Sequence, residues 1–428
     1  MTSMVTAVCG LVLLPLLLTG LPIAFSILLV SSAYFLFTGS DNTTPVTTIF
    51  WFLNSSNLIA IPFFILSAEI LSRSGATDAL VQASNAIFGK ARNGLALVTV
   101  VAIMVFSAIS GSSVATAVAI GRVMIPKLIM DGYSTRFSLG LVAASGGLGI
   151  LIPPSVPLIV YAAVVEISIG DLFLAAIGPG LMLGLALCLF VVAIGDKARI
   201  SPSKGLDVFE DDSARLRAIQ GGVPMFLFPL VILGGIYGGV FTPTEAAAVS
   251  VILSLVLSLT VYRNSKLTEY YEIFADAGTL AATILIIMAS TAVLSFVISY
   301  EKIPLQFAEL INTLNVHPII FLFAVNALLL VLGCFLEIIS VILIVVPIVL
   351  PAVILLDINL FHFGIILIVN MELAVITPPI GMNLYVVSAI AKQPILEVFR
   401  GTLPFVVLIS FCLMLLILFP QISTFLLE

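Results

Sequence analysis

The sequence has 428 residues, of which 61% are hydrophobic and only 9% charged, with a formal net charge of −6. A soluble domain carries about a quarter charged residues, so this composition excludes one and places the chain in lipid. No basic patch is interleaved with aromatic residues, and nucleic acid is not expected as a partner.

The first apolar run starts at Met4 without a basic n-region or a clear cleavage site, and reads as a retained helix, not a signal peptide. As one helix, Met4–Phe37 would be about 51 Å long, too long for a hydrocarbon core of about 30 Å. Thr19-Gly-Leu-Pro22 therefore divides it into two spans. Thr38–Asn57 reads as a polar connection with an interfacial aromatic piece at Phe50-Trp51-Phe52. Leu58–Ser72 is the third span, and Arg73–Asn93 is an amphipathic segment expected at the surface. Gly94–Ile129 is apolar with Ser110-Gly-Ser-Ser113 at its middle. Its two arms of about 16 residues are short for full crossings, which favours a re-entrant hairpin. Phe137–Val165 is a long span broken at Pro153-Pro154, and Leu172–Ile194 is the next.

Asp196–Gly222 is the one long hydrophilic stretch and reads as a linker. The expected organisation is thus a first repeat over 1–195, a cytoplasmic linker over 196–222 and a second repeat over 223–428. Val223–Val240 and Pro243–Tyr262 form a helix pair, Ala277–Tyr300 spans, and Pro318–Leu350 repeats the hairpin with its tip at Gly333–Ser340. Phe361–Ile390 spans with a break at Pro378-Pro379, and Thr402–Leu427 closes the chain. A shift of 225 residues carries Pro126 to Pro351, Pro153-Pro154 to Pro378-Pro379, and Pro179 to Pro404. Each half then has five spans and one hairpin. Because five is odd, the second copy enters the membrane inverted. The expected fold is an all-α polytopic membrane protein of inverted repeats. With the N-terminus outside, the basic residues from Arg73 to Arg400 fall on the inner side. Lys302 alone falls outside, and Arg122 lies on a hairpin arm near the inner side.

A proline inside a helix frees the carbonyl four residues earlier. Pro153 and Pro154 would free Gly149 and Ile150, and Pro378 and Pro379 would free Ala374 and Val375. Such carbonyls, completed by nearby hydroxyls, suit a dehydrated Na⁺, while the positive ends of the half-helices can face an anion. The plainer reading is that each Pro-Pro only kinks a helix, and that Ser110-Gly-Ser-Ser113 is a small-residue packing patch. Glu337, an intramembrane carboxylate, either binds a cation or caps the second arm of its hairpin. Glu245 follows Thr242-Pro-Thr244 as in a capping box, and Glu69 can pair with Arg73 at i, i+4. Glu372 also lies in a span, without an assigned role. Cys9, Cys188, Cys334 and Cys412 read as small buried hydrophobes, and His317 and His362 carry no role.

At several motifs the chain resembles the large membrane subunit (DctM-like) of tripartite ATP-independent periplasmic (TRAP) transporters. The residues are Ala60-Ile-Pro-Phe-Phe-Ile65, Ile109-Ser-Gly-Ser-Ser113, Ile152-Pro-Pro-Ser155, the run Gly234-Gly-Ile-Tyr-Gly-Gly-Val-Phe-Thr-Pro-Thr-Glu245, and Thr377-Pro-Pro379 with Asn383. The resemblance implies a Na⁺-coupled elevator-type importer in the bacterial inner membrane. It also implies two separate partners, a small four-helix membrane subunit and a periplasmic substrate-binding protein. Gly146-Gly-Leu-Gly149 and Glu337-Ile-Ile depart from the pattern of dicarboxylate members and are similar to the sialic-acid branch. Sialic acid is therefore the favoured small anionic substrate and a C4-dicarboxylate the next. One Na⁺ site is expected from Ser110, Ser112, Gly146, Gly149 and Ile150, and a second from Glu337, Ser340, Ala374, Val375 and Thr377. Ser112, Ser113, Thr116, Ser145, Pro154 and Asn383 are expected to line the substrate site. A self-sufficient Na⁺/carboxylate symporter is the alternative. An intramembrane enzyme has no paired aspartates, metal-binding histidines or Ser-His constellation behind it, and the paired breaks argue against a passive channel.

Overall fold

The computed structural model describes residues 12, 15–16, 21–38, 43–202, 211–263 and 267–427. Most of the expected first span, with Cys9, Thr19 and Gly20, lies outside them, as do Lys204 and Lys266. The described residues are helical, with a lone bridge between Tyr133 and Arg199 in place of any sheet. Among the described residues, seven helices are long and apolar enough to cross a membrane.

In the first half, α1 (Ile23–Thr38), α2 (Thr44–Leu53) and α3 (Ala60–Arg73) lead to α4 (Ala76–Phe88). The hairpin is α5 (Gly94–Ser110) and α6 (Ser113–Met130). The broken span is α7 (Thr135–Gly146), a 3₁₀ turn (Gly147–Ile150) and α8 (Val156–Val165), and α9 (Ile169–Ile194) follows. The second half runs through α10 (Asp212–Tyr237), α11 (Pro243–Leu257), α12 (Leu267–Tyr300) and α13 (Ile303–Thr313). Its hairpin is α14 (Pro318–Gly333) and α15 (Ile338–Leu355). Its broken span is α16 (Leu360–Ala374) and α17 (Met382–Ala391), before α18 (Ile395–Leu418) and the short α19 (Gln421–Thr424). The bounds of α6 and α15 coincide under the 225-residue shift, and the other hairpin and broken-span helices agree within a few residues.

Three expectations change. Arg73–Asn93 is not a surface segment: α4 is amphipathic as expected, but it buries Leu80 and Val81 beneath α10 and α5. The hydrophilic stretch before Val223 is already helical from Asp212, because the Asp211 carboxylate caps the first turn by accepting from the Ala214 N–H at 2.5 Å; the expected boundary at 222/223 thus lies inside α10. Finally, α12 begins ten residues before Ala277, and its 34 residues make a rod of about 51 Å.

Lipid and core sort the faces of each span. On α9, Leu181, Leu185 and Leu189 recur every four residues on the exposed face, while Leu183, Leu187 and Val191 point inward. Where α7 crosses α18, a Cβ on Gly140 would lie 2.0 Å from the Gly401 carbonyl oxygen, so only glycine allows this approach. The halves interlock reciprocally. The half-helix α17 packs on the hairpin arm α6 of the first half, and its counterpart α8 packs on the arm α15 of the second.

Polar contacts fasten the surface ends. Arg73 joins Glu69 at 2.7 Å, as its spacing suggested, and also Asp276 at 2.5 Å. Thr242 and Glu245 form the expected capping box. Arg199 bonds Asp131 at 3.0 Å and lies 4.2 Å over the Tyr133 ring, and the Tyr133 hydroxyl donates to Asn93 Oδ1 at 3.2 Å.

Candidate functional site at the paired helix breaks

The first hairpin turns in two residues. Gly111 adopts φ +60°, a left-handed conformation that glycine enters without cost. Ser112 is extended and caps α6, its hydroxyl accepting from Ala115 N–H at 3.4 Å. The hydroxyls of Ser110 and Thr116 lie 2.6 Å apart across the turn. Ser113 and Thr116 are buried, and Ser112 is half-buried.

This tip meets the break of its own half, as the short connecting loop predicts. The Val156 N–H donates to the Gly111 carbonyl at 3.3 Å. A Cβ on Gly149 would lie 2.5 Å from the Ser112 carbonyl oxygen and 2.8 Å from Thr116 Oγ1. Ser110, Ser112, Thr116 and Gly149 therefore converge, with Pro154 beside Gly111. Helix α7 stops at Gly146, well before the prolines, and tightens into the 3₁₀ turn. The Ile150 carbonyl is not left free: the Ser155 hydroxyl donates to it at 2.5 Å while capping α8. One lone pair of the expected ligand is thus already used. The Pro153–Pro154 and Pro378–Pro379 bonds are cis.

The second break is built alike. Ile380 N–H donates to the Cys334 carbonyl of the hairpin tip at 3.1 Å, and Gly333 packs on the Ala374 methyl. Gly333 stands at the place expected for Glu337 or Ser340. Glu337 occupies the capping position of α15 without a side-chain cap bond, and its Oε2 is buried without a partner, as is Ser340 Oγ. The Ala374 and Val375 carbonyls each receive one N–H, from Thr377 at 3.2 Å and Asn383 at 3.0 Å, and the Thr377 hydroxyl donates to the Leu373 carbonyl at 2.6 Å. The two breaks differ in cover: Pro153 and Pro154 are buried, whereas Pro378 and Pro379 are exposed.

Across the halves, Asn383 Nδ2 donates to the Ala143 carbonyl at 3.1 Å, so this expected lining residue is a bridge between them. Ser145 Oγ and Asn383 Oδ1 are buried without partners. The Tyr161 hydroxyl donates to the Leu360 carbonyl at 2.7 Å, with its ring over Gly364. Two features escaped the sequence reading. Asn370 Nδ2 donates to the Asn326 carbonyl at 2.9 Å and to its Oδ1 at 2.8 Å, tying α16 to α14; isolated amides within apolar helices are the available signal for such a pair. Glu372, seen but unassigned, is fully buried against Gly147. Of the single histidines, His317 caps α14 and His362 meets Ser423 at 3.1 Å. No cluster of three or more His, Cys, Asp or Glu residues that could hold a metal occurs among the described residues. The oxygens gathered at the first tip are hydroxyls and carbonyls, and the second tip adds the Glu337 carboxyl; hard cations take oxygen donors.

Two hydroxyl- or carbonyl-bearing hairpin tips, each docked on an interrupted membrane helix, define a membrane-transporter fold. The chain belongs to the DctM component of tripartite ATP-independent periplasmic transporters, whose family model matches residues 10–422. It is 38% identical to the C4-dicarboxylate TRAP transporter large permease protein DctM of Vibrio cholerae, over 99% of this chain and 97% of that one. It is 33% identical to the sialic acid TRAP transporter large permease protein SiaM of the same organism, over 97% and 96%. Its fold is similar to that of the Alcanivorax borkumensis YdaH transporter, with a TM-score of 0.63 at 15% identity, covering 88% of this chain and 87% of that one.

Proposed function

We propose that this chain is the transport subunit of a TRAP system that imports a small carboxylate on a Na⁺ gradient. It works in the bacterial inner membrane with a small four-helix membrane subunit and a periplasmic substrate-binding protein. The two halves act as inverted repeats, flanking the linker that starts at Asp196. The observation that carries the reading is the docking of each hairpin tip on its own break, through Val156 N–H to Gly111 and Ile380 N–H to Cys334. One cation sits between Ser110, Ser112, Gly146, Gly149 and Ile150, the other between Glu337, Ser340, Ala374, Val375 and Thr377. The substrate carboxylate is taken between the tips and the half-helix ends, near Ser112, Ser113, Thr116, Ser145, Pro154 and Asn383. The tips and breaks move together as the body of an elevator. Sialic acid is the favoured substrate, on Gly146-Gly-Leu-Gly149 and Glu337-Ile-Ile, and a C4-dicarboxylate the next.

The test is uptake of labelled sialic acid or succinate by proteoliposomes holding all three components. Uptake should follow the Na⁺ gradient and stop when either partner is omitted. Uptake unchanged when K⁺ or choline replaces Na⁺ overturns the coupling.

A further inference from the structure

We propose that the groove between the ends of α6, α7 and α17 holds the headgroup of an anionic phospholipid, with Arg122 on its phosphate. The groove is open, has a volume of about 560 Å³ and is lined by nine residues, a size ordinary for a ligand site. Its walls come from both halves. Helix α6 of the first half and α17 of the second pack together there, close enough that a Cβ on Gly121 would lie 3.8 Å from Ile390 Cδ1. Arg122 stands eight residues before Met130, the last residue of α6, about 12 Å along the axis. Thr135 opens α7, and Gln393 follows the end of α17. The polar lips thus stand at helix ends, and Arg122 springs from deeper in the span. The same ends carry Arg136, Lys392 and Arg400, on the side that charge placement makes cytoplasmic.

The chemistry of the walls selects the occupant. Arg122 is exposed, and its side chain has no ion pair or hydrogen bond among the described residues. No carboxylate is among the lining residues. The nearest acids in sequence are already held, Asp131 by Arg199 at 3.0 Å and Glu397 by Arg136 and by Arg400 at 3.1 Å. Lys392, between Ala391 and Gln393, adds a second positive charge. Six of the nine lining residues are apolar, Ile125 and Ile390 among them, and two of these, Ile129 and Met130, are 39% and 56% exposed. A soluble anion gains nothing from such walls, whereas acyl chains cover them. A guanidinium places two parallel N–H bonds on a phosphate, and basic pockets between membrane helices on the cytoplasmic side suit acidic headgroups. A zwitterionic lipid would bring its own cation against Arg122 and Lys392. Ser112 at the hairpin tip is ten residues away along α6, about 15 Å, so the groove is separate from the tips and requires neither Na⁺ nor substrate. The bound lipid clasps α6 to α17 and so joins the two halves at one leaflet.

The test is native mass spectrometry of the purified full chain, which separates folded from unfolded molecules by charge state. Phosphatidylglycerol is the probe, and phosphatidylcholine with the same chains is the neutral control. Phosphatidylglycerol should bind the more tightly, and Arg122→Gln should weaken it about tenfold or more, the scale of a charge-assisted contact. Ile129→Asn keeps the cation but spoils the apolar wall, and should weaken it as well. Arg217→Gln removes a charge on α10, outside the groove, and should leave binding unchanged. Equal losses in Arg122→Gln and Arg217→Gln mean a diffuse surface potential and overturn the site. Binding that neither groove variant weakens, or that does not distinguish the two lipids, overturns it too. Displacement of phosphatidylglycerol by ammonium phosphate, but not by ammonium acetate at the same ionic strength, means that the site takes a free anion, and overturns the lipid.

Discussion

Gly149→Ala tests the contact between the first tip and its break. The new Cβ would stand 2.5 Å from the Ser112 carbonyl oxygen, where ordinary contact begins at 3.4 Å. That oxygen belongs to the backbone and cannot swing aside. The second neighbour, Thr116 Oγ1 at 2.8 Å, is tied to Ser110. The tip must therefore back away from the break by about 1 Å, at the 1–3 kcal/mol typical of overpacking. The Val156 N–H to Gly111 bond, already 3.3 Å long, would be lost in that movement, for about 1 kcal/mol more. If this strain falls on the ion-bound arrangement, a total of about 2–4 kcal/mol raises the half-saturating Na⁺ concentration at least tenfold, since about 1.4 kcal/mol is one decade. The assay is Na⁺-dependent uptake in proteoliposomes, with thermal unfolding beside it. Gly221→Ala is the control, because a Cβ there meets nothing within 4 Å. A Gly149→Ala protein with wild-type Na⁺ dependence and melting temperature would refute the reasoning.

Two further predictions concern the tip and the end of α9. Ser110→Ala and Thr116→Ala each remove one partner of the 2.6 Å hydroxyl pair; each should cost about 1 kcal/mol, and a double-mutant cycle in thermal unfolding should return a coupling of similar size. A coupling near zero would mean that the pair does not hold the turn. At the end of α9, the hydrogen bond from Arg92 holds the Asp196 carboxyl below its ordinary value of 3.8, helped by Asn93 and the charge of Arg199. A depressed carboxylate contributes stability above its unfolded value and loses it as pH falls through the folded one. Asp196→Asn should therefore lower the melting temperature slightly at neutral pH, where the carboxylate contributes, and flatten its loss below pH 3.8; an acid limb identical to wild type would exclude this pair from acid unfolding.

What could be read from the chain alone was whatever repeats along it or lies within a helical turn. The proline register located both breaks, and i, i+3 and i, i+4 spacing found the Thr242–Glu245 box and the Glu69–Arg73 pair. Hydrophilicity misled at Asp212–Gly222, although Asp211 before Asp212-Ser-Ala214 was a usable capping signal. The capture of the Ile150 carbonyl by Ser155 depends on a side-chain direction that spacing does not encode. Asn326 and Asn370 meet across two helices, and Glu372 meets Gly147 across the halves. The first pairing exists only once two helices of the second half are packed, and the second only once the halves are, so each polar residue alone looks isolated in an apolar run.

The reciprocal packing of α8 on α15 and of α17 on α6 bears on how the chain is made. When Val165 leaves the ribosome, the surface of α8 still lacks its cover, which begins only at Ile338. At 5–20 residues per second the intervening chain takes roughly 10–35 s to appear. For that time the face of α8 that α15 will cover is without its partner, so the newborn first half depends on lipid, insertion machinery or a neighbouring subunit to keep its place until its sister arrives.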